Sequence, residues 1–170
     1  MQLKNLIFIC GASGIGKSTI CNTLYKKMQQ TAFVDSDHCR MINPFEFSNE
    51  IKKVVTNNMT ALLTNYLNCS VINNVIFLYG FHGPRKQIFD NIITNISLTG
   101  ISYNFIPIIL ECELEENIRR ARKDGRDERR IRYGIEVSRD VYNQYDTYRR
   151  LDITHFTVDE AVDRLMVMVS

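Results

Sequence analysis

Residues 11–19 read Gly11-Ala12-Ser13-Gly14-Ile15-Gly16-Lys17-Ser18-Thr19, a complete G-x-x-x-x-G-K-[ST] pattern that constrains this chain more than any other segment. The pattern needs a strand before it and a helix after it. Leu6-Ile7-Phe8-Ile9-Cys10 is a continuous apolar run of the kind that forms a strand buried on both faces. Ile20, Leu24 and Met28 then recur at helical spacing, so 17–30 reads as a helix. The glycines let the backbone curl until successive N–H groups face one anion, and Gly16 leaves room for a phosphate to come close. In such a loop Lys17 reaches the β- and γ-phosphate oxygens and the Ser18 hydroxyl ligates Mg²⁺. The N-terminus of the following helix adds the positive end of its dipole. The expectation is a nucleotide-binding loop to which all of 11–19 contributes.

Beyond the loop, apolar runs alternate with amphipathic ones, the pattern of an α/β chain with a parallel sheet and helices on both faces. Strands are expected at 31–35, 75–79, 104–110 and 153–156, and helices at 48–69, 85–98, from 113, at 136–150 and at 158–168. On 48–69, Ile51, Val54, Val55, Met59, Leu62, Leu63 and Leu67 share one broad face. The 170 residues suffice for one domain with a real core, and no linker, repeat or low-complexity segment divides them. A net charge of +2 is close to balance and does not advertise a nucleic-acid or membrane surface. The apolar stretch near the N-terminus is too short and too soon ended by glycine for a signal peptide or membrane span, so a cytoplasmic location is expected. The five cysteines are scattered without a C-x-x-C pair and read as buried thiols, not as a disulfide or zinc framework. Cys39 is set apart by its neighbours.

Those neighbours are Asp35-Ser36-Asp37-His38-Cys39-Arg40, at the end of the second strand. In a doubly wound sheet, ligands gather beyond the carboxyl ends of the strands, so this segment is expected to face the phosphate loop. Alternation places Asp35 and Asp37 on one side if the strand persists that far. One carboxylate can hold Mg²⁺, the task given to Asp35. The other can take the proton of an attacking hydroxyl, the task given to Asp37. The structural alternative makes Asp37 a helix N-cap and Asp35 a solvated strand end. Arg40 follows Asp37 by three residues and can clamp an anionic group of the acceptor or orient the base. After the third strand, Tyr79-Gly80-Phe81-His82-Gly83-Pro84-Arg85 suggests close approach of a substrate, with Phe81 or His82 as a pocket wall and Arg85 as an acceptor contact or a solvated first-turn residue. Arginine and lysine then crowd 119–132, interrupted by Gly125. A charge run is usually a solvated face. Phosphoryl transfer nevertheless needs cations over the equatorial oxygens, and a flap hinged at Gly125 would deliver them, with Arg122 and Arg126 first and Arg119 next. RNA binding is the competing reading, and Tyr133 alone offers little stacking.

With these motifs the chain resembles the small phosphate-loop kinases related to nucleoside monophosphate, shikimate and gluconate kinases, including antibiotic phosphotransferases and polynucleotide 5′-hydroxyl kinases. The resemblance runs through the whole element order. It implies a three-layer P-loop NTPase fold, with a five-stranded parallel sheet ordered 2-3-1-4-5 and an arginine-rich lid after the fourth strand, here about 119–132. It implies an acceptor site after the second strand with an acid matching Asp35 or Asp37. Asp37-x-x-Arg40 is similar to the spacing in polynucleotide kinases, whereas the Asp-Gly-Phe-Pro-Arg segment of adenylate kinases is echoed only by Gly80-Phe81 and Arg85. The magnesium-binding aspartate that ends the third strand in many phosphate-loop ATPases is Tyr79 here, which moves that duty to Asp35 or Asp37. The expected activity is transfer of the γ-phosphoryl group of ATP, with Mg²⁺, to a hydroxyl of a small molecule. A polynucleotide 5′-hydroxyl acceptor and a regulatory nucleotide-binding module are the alternatives.

Overall fold

Leu6, Ile7, Phe8, Ile9 and Cys10 are wholly excluded from solvent, and the strand they form is the centre of the molecule. The computed structural model describes residues 3–170, with Met1 and Gln2 and the side chains of Arg130 and Glu136 outside that description. Strand β1 (Lys4–Gly11) pairs in parallel with β3 (Asn74–Leu78) on one side and β4 (Tyr103–Glu111) on the other. Strand β2 (Thr31–Asp35) lies beyond β3 and β5 (Arg149–Asp152) beyond β4, so the five-stranded sheet runs β2-β3-β1-β4-β5, in the expected order.

Alternation along β1 sends its residues to two separate cores. Ile7 and Ile9 pack with Ile20 and Leu24 of α1 (Lys17–Lys27) and with Val162 and Leu165 of α6 (Val158–Val169). Leu6, Phe8 and Cys10 pack on the opposite face with α2 (Asn49–Asn68) and α3 (Arg85–Leu98). There the Phe8 ring lies 4.5 Å from that of Phe89 and 5.7 Å from that of Phe81. Burying one such side chain stabilises the fold by about 1.5–3 kcal/mol, which makes the two clusters the main source of cohesion. Helix α2 starts where the Ser48 hydroxyl accepts the Ile51 N–H at 3.2 Å, and it buries Val55, Met59, Leu63 and Leu67. Val54 and Leu62, expected on the same face, turn outward. A stripe at every fourth residue is narrow, and these two sit at its margins.

The greatest departures follow β4. The basic segment is helical: α4 (Leu114–Lys123) and α5 (Glu128–Arg139) flank a short turn. Gly125, at φ 72°, closes α4: its N–H donates to the Arg122 carbonyl at 2.9 Å and the Arg126 N–H to that of Ala121 at 3.2 Å. This paired arrangement is the Schellman helix stop. Ile131 and Ile135, one turn apart, hold α5 against Ala121 and Ile118. The helix expected at 136–150 is therefore shifted, and a 3₁₀ segment (Asp140–Gln144) follows α5 instead. The last strand lies at Arg149–Asp152, not at 153–156. Its pattern is mostly charged because it is an edge strand with little to bury, and the apolar signal belongs to Ile153 just beyond it. Among the described residues no helix is long and apolar enough to cross a membrane.

Candidate functional site

The loop at 11–19 leaves β1 at the point where its neighbours diverge to β3 and β4, the topological switch point at which open sheets bind ligands. Two of its glycines are required by sterics. At Gly11, φ 143°, a Cβ would lie 2.2 Å from the Leu110 carbonyl oxygen; at Gly14, φ 81°, it would lie 2.9 Å from the Ala121 methyl. Gly16 heads α1 with no side-chain cap, no acid occupies the first helical turn, and nothing stands within 4 Å of where its Cβ would be. The N–H groups of the helix start thus have no side-chain cap, which fits a bound anion. Ile15 turns its side chain into the core and Thr19 lies exposed on α1, so these two contribute backbone to the loop. The Ala12 side flanks a different cavity, beside Arg139 and Arg150.

A cleft of about 520 Å³ opens between the loop and the ends of β2 and β3. Lys17, Ser18, Asp35 and Asp37 line it together with Arg40, His82, Arg85 and Arg126. The Lys17 ammonium donates to the Ala12 carbonyl at 2.6 Å, and burial pulls its pKa down to about 8. Strand β2 ends at Asp35, so a turn and not strand alternation sets the second acid: the Asp35 carboxylate accepts the Asp37 N–H at 2.9 Å. Asp37 precedes a 3₁₀ turn (His38–Arg40) without capping it through its side chain, and pairs with the Arg40 guanidinium. The Cys39 thiol is directed at the Asp35 carbonyl, 3.6 Å away, and burial raises its pKa. Burial, followed by the charges of Arg85, Lys17 and Arg40, lowers the His82 pKa to about 4. His82 is a neutral imidazole near pH 7 and offers no charge to an acceptor.

The three expected lid arginines part company. Arg126 donates to the Ser13 hydroxyl at 2.6 Å and so reaches the loop. Arg119 is bidentate to Glu116, at 2.6 and 2.8 Å, and Arg122 pairs with Glu128 at 2.7 Å; neither lines the cleft. Phe81, expected as a pocket wall, is wholly buried among Phe8, Phe89, Tyr142 and Tyr145. It corrects the sequence reading: a large apolar ring beside a strand end gains more by joining an aromatic core than by lining a polar cleft. Tyr79 likewise points into that core, its hydroxyl donating to the Arg85 carbonyl at 2.9 Å.

Three polar residues that the sequence did not single out hold the loop from behind. Asn117 of α4 donates its amide to the Ser13 carbonyl at 2.9 Å, and the Ser13 N–H donates to the Ser138 hydroxyl of α5 at 3.0 Å. Arg120 bridges the Ile15 carbonyl at 3.1 Å and the Ile153 carbonyl at 2.8 Å. Asn117 and Ser138 have no exposed surface, yet on charged helices they read as solvated residues. Only the folded backbone reveals what they satisfy.

The depressed Lys17 pKa has a consequence for binding. A phosphate beside this ammonium favours its charged form and raises its pKa, so binding takes up a proton where free Lys17 has begun to lose one. Affinity for ADP is expected to be flat below pH 7 and to fall as pH rises through about 8. Calorimetry near pH 8.5 in buffers of different ionisation enthalpy should register net proton uptake; proton release would contradict the assignment.

A family model described as an AAA domain matches residues 7–145. No curated protein matches the sequence. Among solved structures, the tunicamycin resistance protein of Deinococcus radiodurans superposes with a TM-score of 0.67 at 14% identity, covering 99% of this chain and 96% of that one. A gluconokinase from Sinorhizobium meliloti 1021 gives 0.64 at 13% identity, covering 99% and 93%. The shikimate kinase of Bacteroides thetaiotaomicron gives 0.62 at 15% identity, covering 98% of each chain. At such identities the shared property is the fold, a kinase-like nucleotide-binding one.

Proposed function

This chain belongs to the AAA domain family, and on that footing we propose that it is a phosphotransferase moving the γ-phosphoryl group of ATP, with Mg²⁺, to a hydroxyl of a small-molecule acceptor. The observation that carries the reading is the meeting of Lys17, Arg126, Asp35 and Asp37 in one cleft before the uncapped start of α1. Cations and helix N–H groups suit a polyphosphate, whereas two carboxylates beside them repel one. Their presence calls for a metal and for a proton to be removed. The residues fit Mg²⁺, which binds through a hydroxyl, one carboxylate and substrate phosphates without a full protein cage. Ser18 and Asp35 would hold it, and it would neutralise charge on the β- and γ-oxygens.

Each residue then has a task of its own. The α1 N-terminus and Lys17 bind the β- and γ-phosphate oxygens; Lys17 leaves the Ala12 carbonyl to do so. Asp37 accepts the acceptor's hydroxyl proton as the new P–O bond forms and the bond to the ADP oxygen breaks. Arg40, paired to Asp37, holds that carboxylate at the mouth of the cleft. Arg126 stabilises charge on the transferring group, with Arg119 and Arg122 joining when the lid of about 119–132 closes over it. The whole of 1–170 serves as one kinase domain in this reading. An assay of ADP release tests it: release with Mg²⁺ should rise several-fold on addition of a pool of hydroxyl compounds. Release indifferent to every acceptor would reduce the protein to a nucleotide hydrolase or a binding module.

A further inference from the structure

Every polar group of Ser13 is taken up by α4, α5 or the turn between them. Its carbonyl accepts the Asn117 amide of α4 at 2.9 Å, and its N–H donates to the Ser138 hydroxyl of α5 at 3.0 Å. Its own hydroxyl accepts the Arg126 guanidinium, from the turn, at 2.6 Å. The three partners are unlike. Asn117 and Ser138 are wholly buried, and Ser138 gives its proton to the Gly134 carbonyl, so packing has fixed both. Arg126 is exposed. A long side chain on an exposed turn samples many rotamers, and the bond to Ser13 gives this one a direction. Gly134 keeps the approach open: a Cβ there would lie 3.6 Å from both the Cβ and the hydroxyl oxygen of Ser13. Glycine is among the least favourable residues inside a helix, yet in α5 it leaves the Ser13 hydroxyl clear for the arginine.

Charge separates Arg126 from its neighbours. Arg119 and Arg122 lean on the carboxylates of Glu116 and Glu128, which offset their charge. The Ser13 hydroxyl is neutral, so it orients the Arg126 guanidinium without offsetting its charge. The bond uses one terminal nitrogen, and a guanidinium has further N–H donors for phosphate oxygens. Ser13, Lys17, Ser18 and Arg126 line the same cleft. Burial first, and the charge of Arg126 after it, lower the Lys17 pKa, so the two cations act on the same space. Building on the phosphotransferase reading, we propose that Ser13 is a positioning residue: its hydroxyl holds Arg126 over the phosphate loop, so that the guanidinium meets the transferring phosphoryl group already oriented. Without that catch the arginine must give up its rotamer freedom each time charge develops on the phosphoryl oxygens. Nucleotide binding, which rests on Lys17 and the start of α1, does not need it.

Ser13→Ala removes the hydroxyl and keeps the N–H and carbonyl that Ser138 and Asn117 hold, so the loop should stay in place. The rate at saturating ATP is expected to fall roughly 3- to 10-fold, the cost of ordering one long side chain, with the KM for ATP and the calorimetric affinity for ADP unchanged. Ser13→Thr, which keeps a hydroxyl, should retain most of the rate. Arg126→Ala should lose more, and Ser13→Ala combined with Arg126→Ala no more than Arg126→Ala alone, because the hydroxyl acts through the arginine. Side-chain nitrogen relaxation of the Arg126 Nε–H group needs no turnover, and its order parameter in the free protein should drop in Ser13→Ala. An unchanged order parameter, an unchanged or raised rate, a KM that rises as the rate falls, or losses that add in the double variant overturns the proposal. Absence of turnover in the parent chain overturns the phosphotransferase reading and, with it, the catalytic use of the bond, whereas the order parameter reports on the bond itself in either case.

Discussion

Lys17→Ala is expected to leave the fold intact and to abolish phosphoryl transfer. The Lys17 ammonium sits in a polar pocket, satisfied by one carbonyl, and burial already disfavours its charge. Removing it deletes a desolvated cation and leaves the apolar contacts of α1, made by Ile20, Cys21 and Leu24, in place. The thermal midpoint should therefore stay near that of the parent chain. The catalytic effect is of another order. A preorganised cation in a water-poor site acts on charge as it develops, and losing one such donor typically costs about 10²–10³-fold in rate. Lys17 is expected at or above that range, because the Lys17 ammonium lines the cleft in front of the uncapped start of α1. Measurable parent-like turnover in a folded Lys17→Ala chain would mean that the phosphates lie elsewhere.

Asp37→Asn should be nearly as severe, for a different reason. The amide keeps the size of the carboxylate and can still meet Arg40, so the turn from Asp35 to Arg40 should persist. What it loses is the capacity to take a proton. Nucleotide binding should survive while transfer falls by roughly 10²–10⁴-fold. Asp35→Asn is expected to raise the Mg²⁺ concentration needed for half-maximal rate, with the maximal rate partly restored at saturating Mg²⁺. Activity titrated against Mg²⁺ in both variants separates the two roles. The opposite pattern would exchange them, and indifference to both would place the acceptor site away from the end of β2.

The fold was legible because its signals are local and strong. Residues 6–19 announce strand, loop and helix, and the apolar runs at 31–35, 75–79 and 104–110 fall on strands, while the order of the sheet came from the resemblance to the phosphate-loop kinases. Where a segment's stability comes from what it packs against, the sequence misled. Glu128–Arg139 reads as a charge run, yet Ile131 and Ile135 suffice to seat it on α4. Arg149–Asp152 carries a single apolar residue, Leu151, and is a strand because β4 offers it an open edge. At the site, residues placed by motif spacing fell around one cleft, from Lys17 and Ser18 to Asp35, Asp37 and Arg40. Phe81 did not, because spacing says nothing about which side of a turn a ring will take. Asn117, Ser138 and Arg120 were illegible for a related reason: each answers a backbone group of the loop more than one hundred positions or a whole layer away, and a single sequence carries no trace of such a partnership.

The γ-phosphoryl group is expected to leave ATP for an organic hydroxyl and not for water. Phosphorus-31 spectroscopy follows that atom directly. With the intact chain, ATP, Mg²⁺ and a pool of hydroxyl compounds, the γ-phosphate resonance should decline as a new phosphate-ester resonance grows in step with ADP, and inorganic phosphate should stay minor. Growth of inorganic phosphate alone, matching ADP whichever acceptor is present, would contradict the claim.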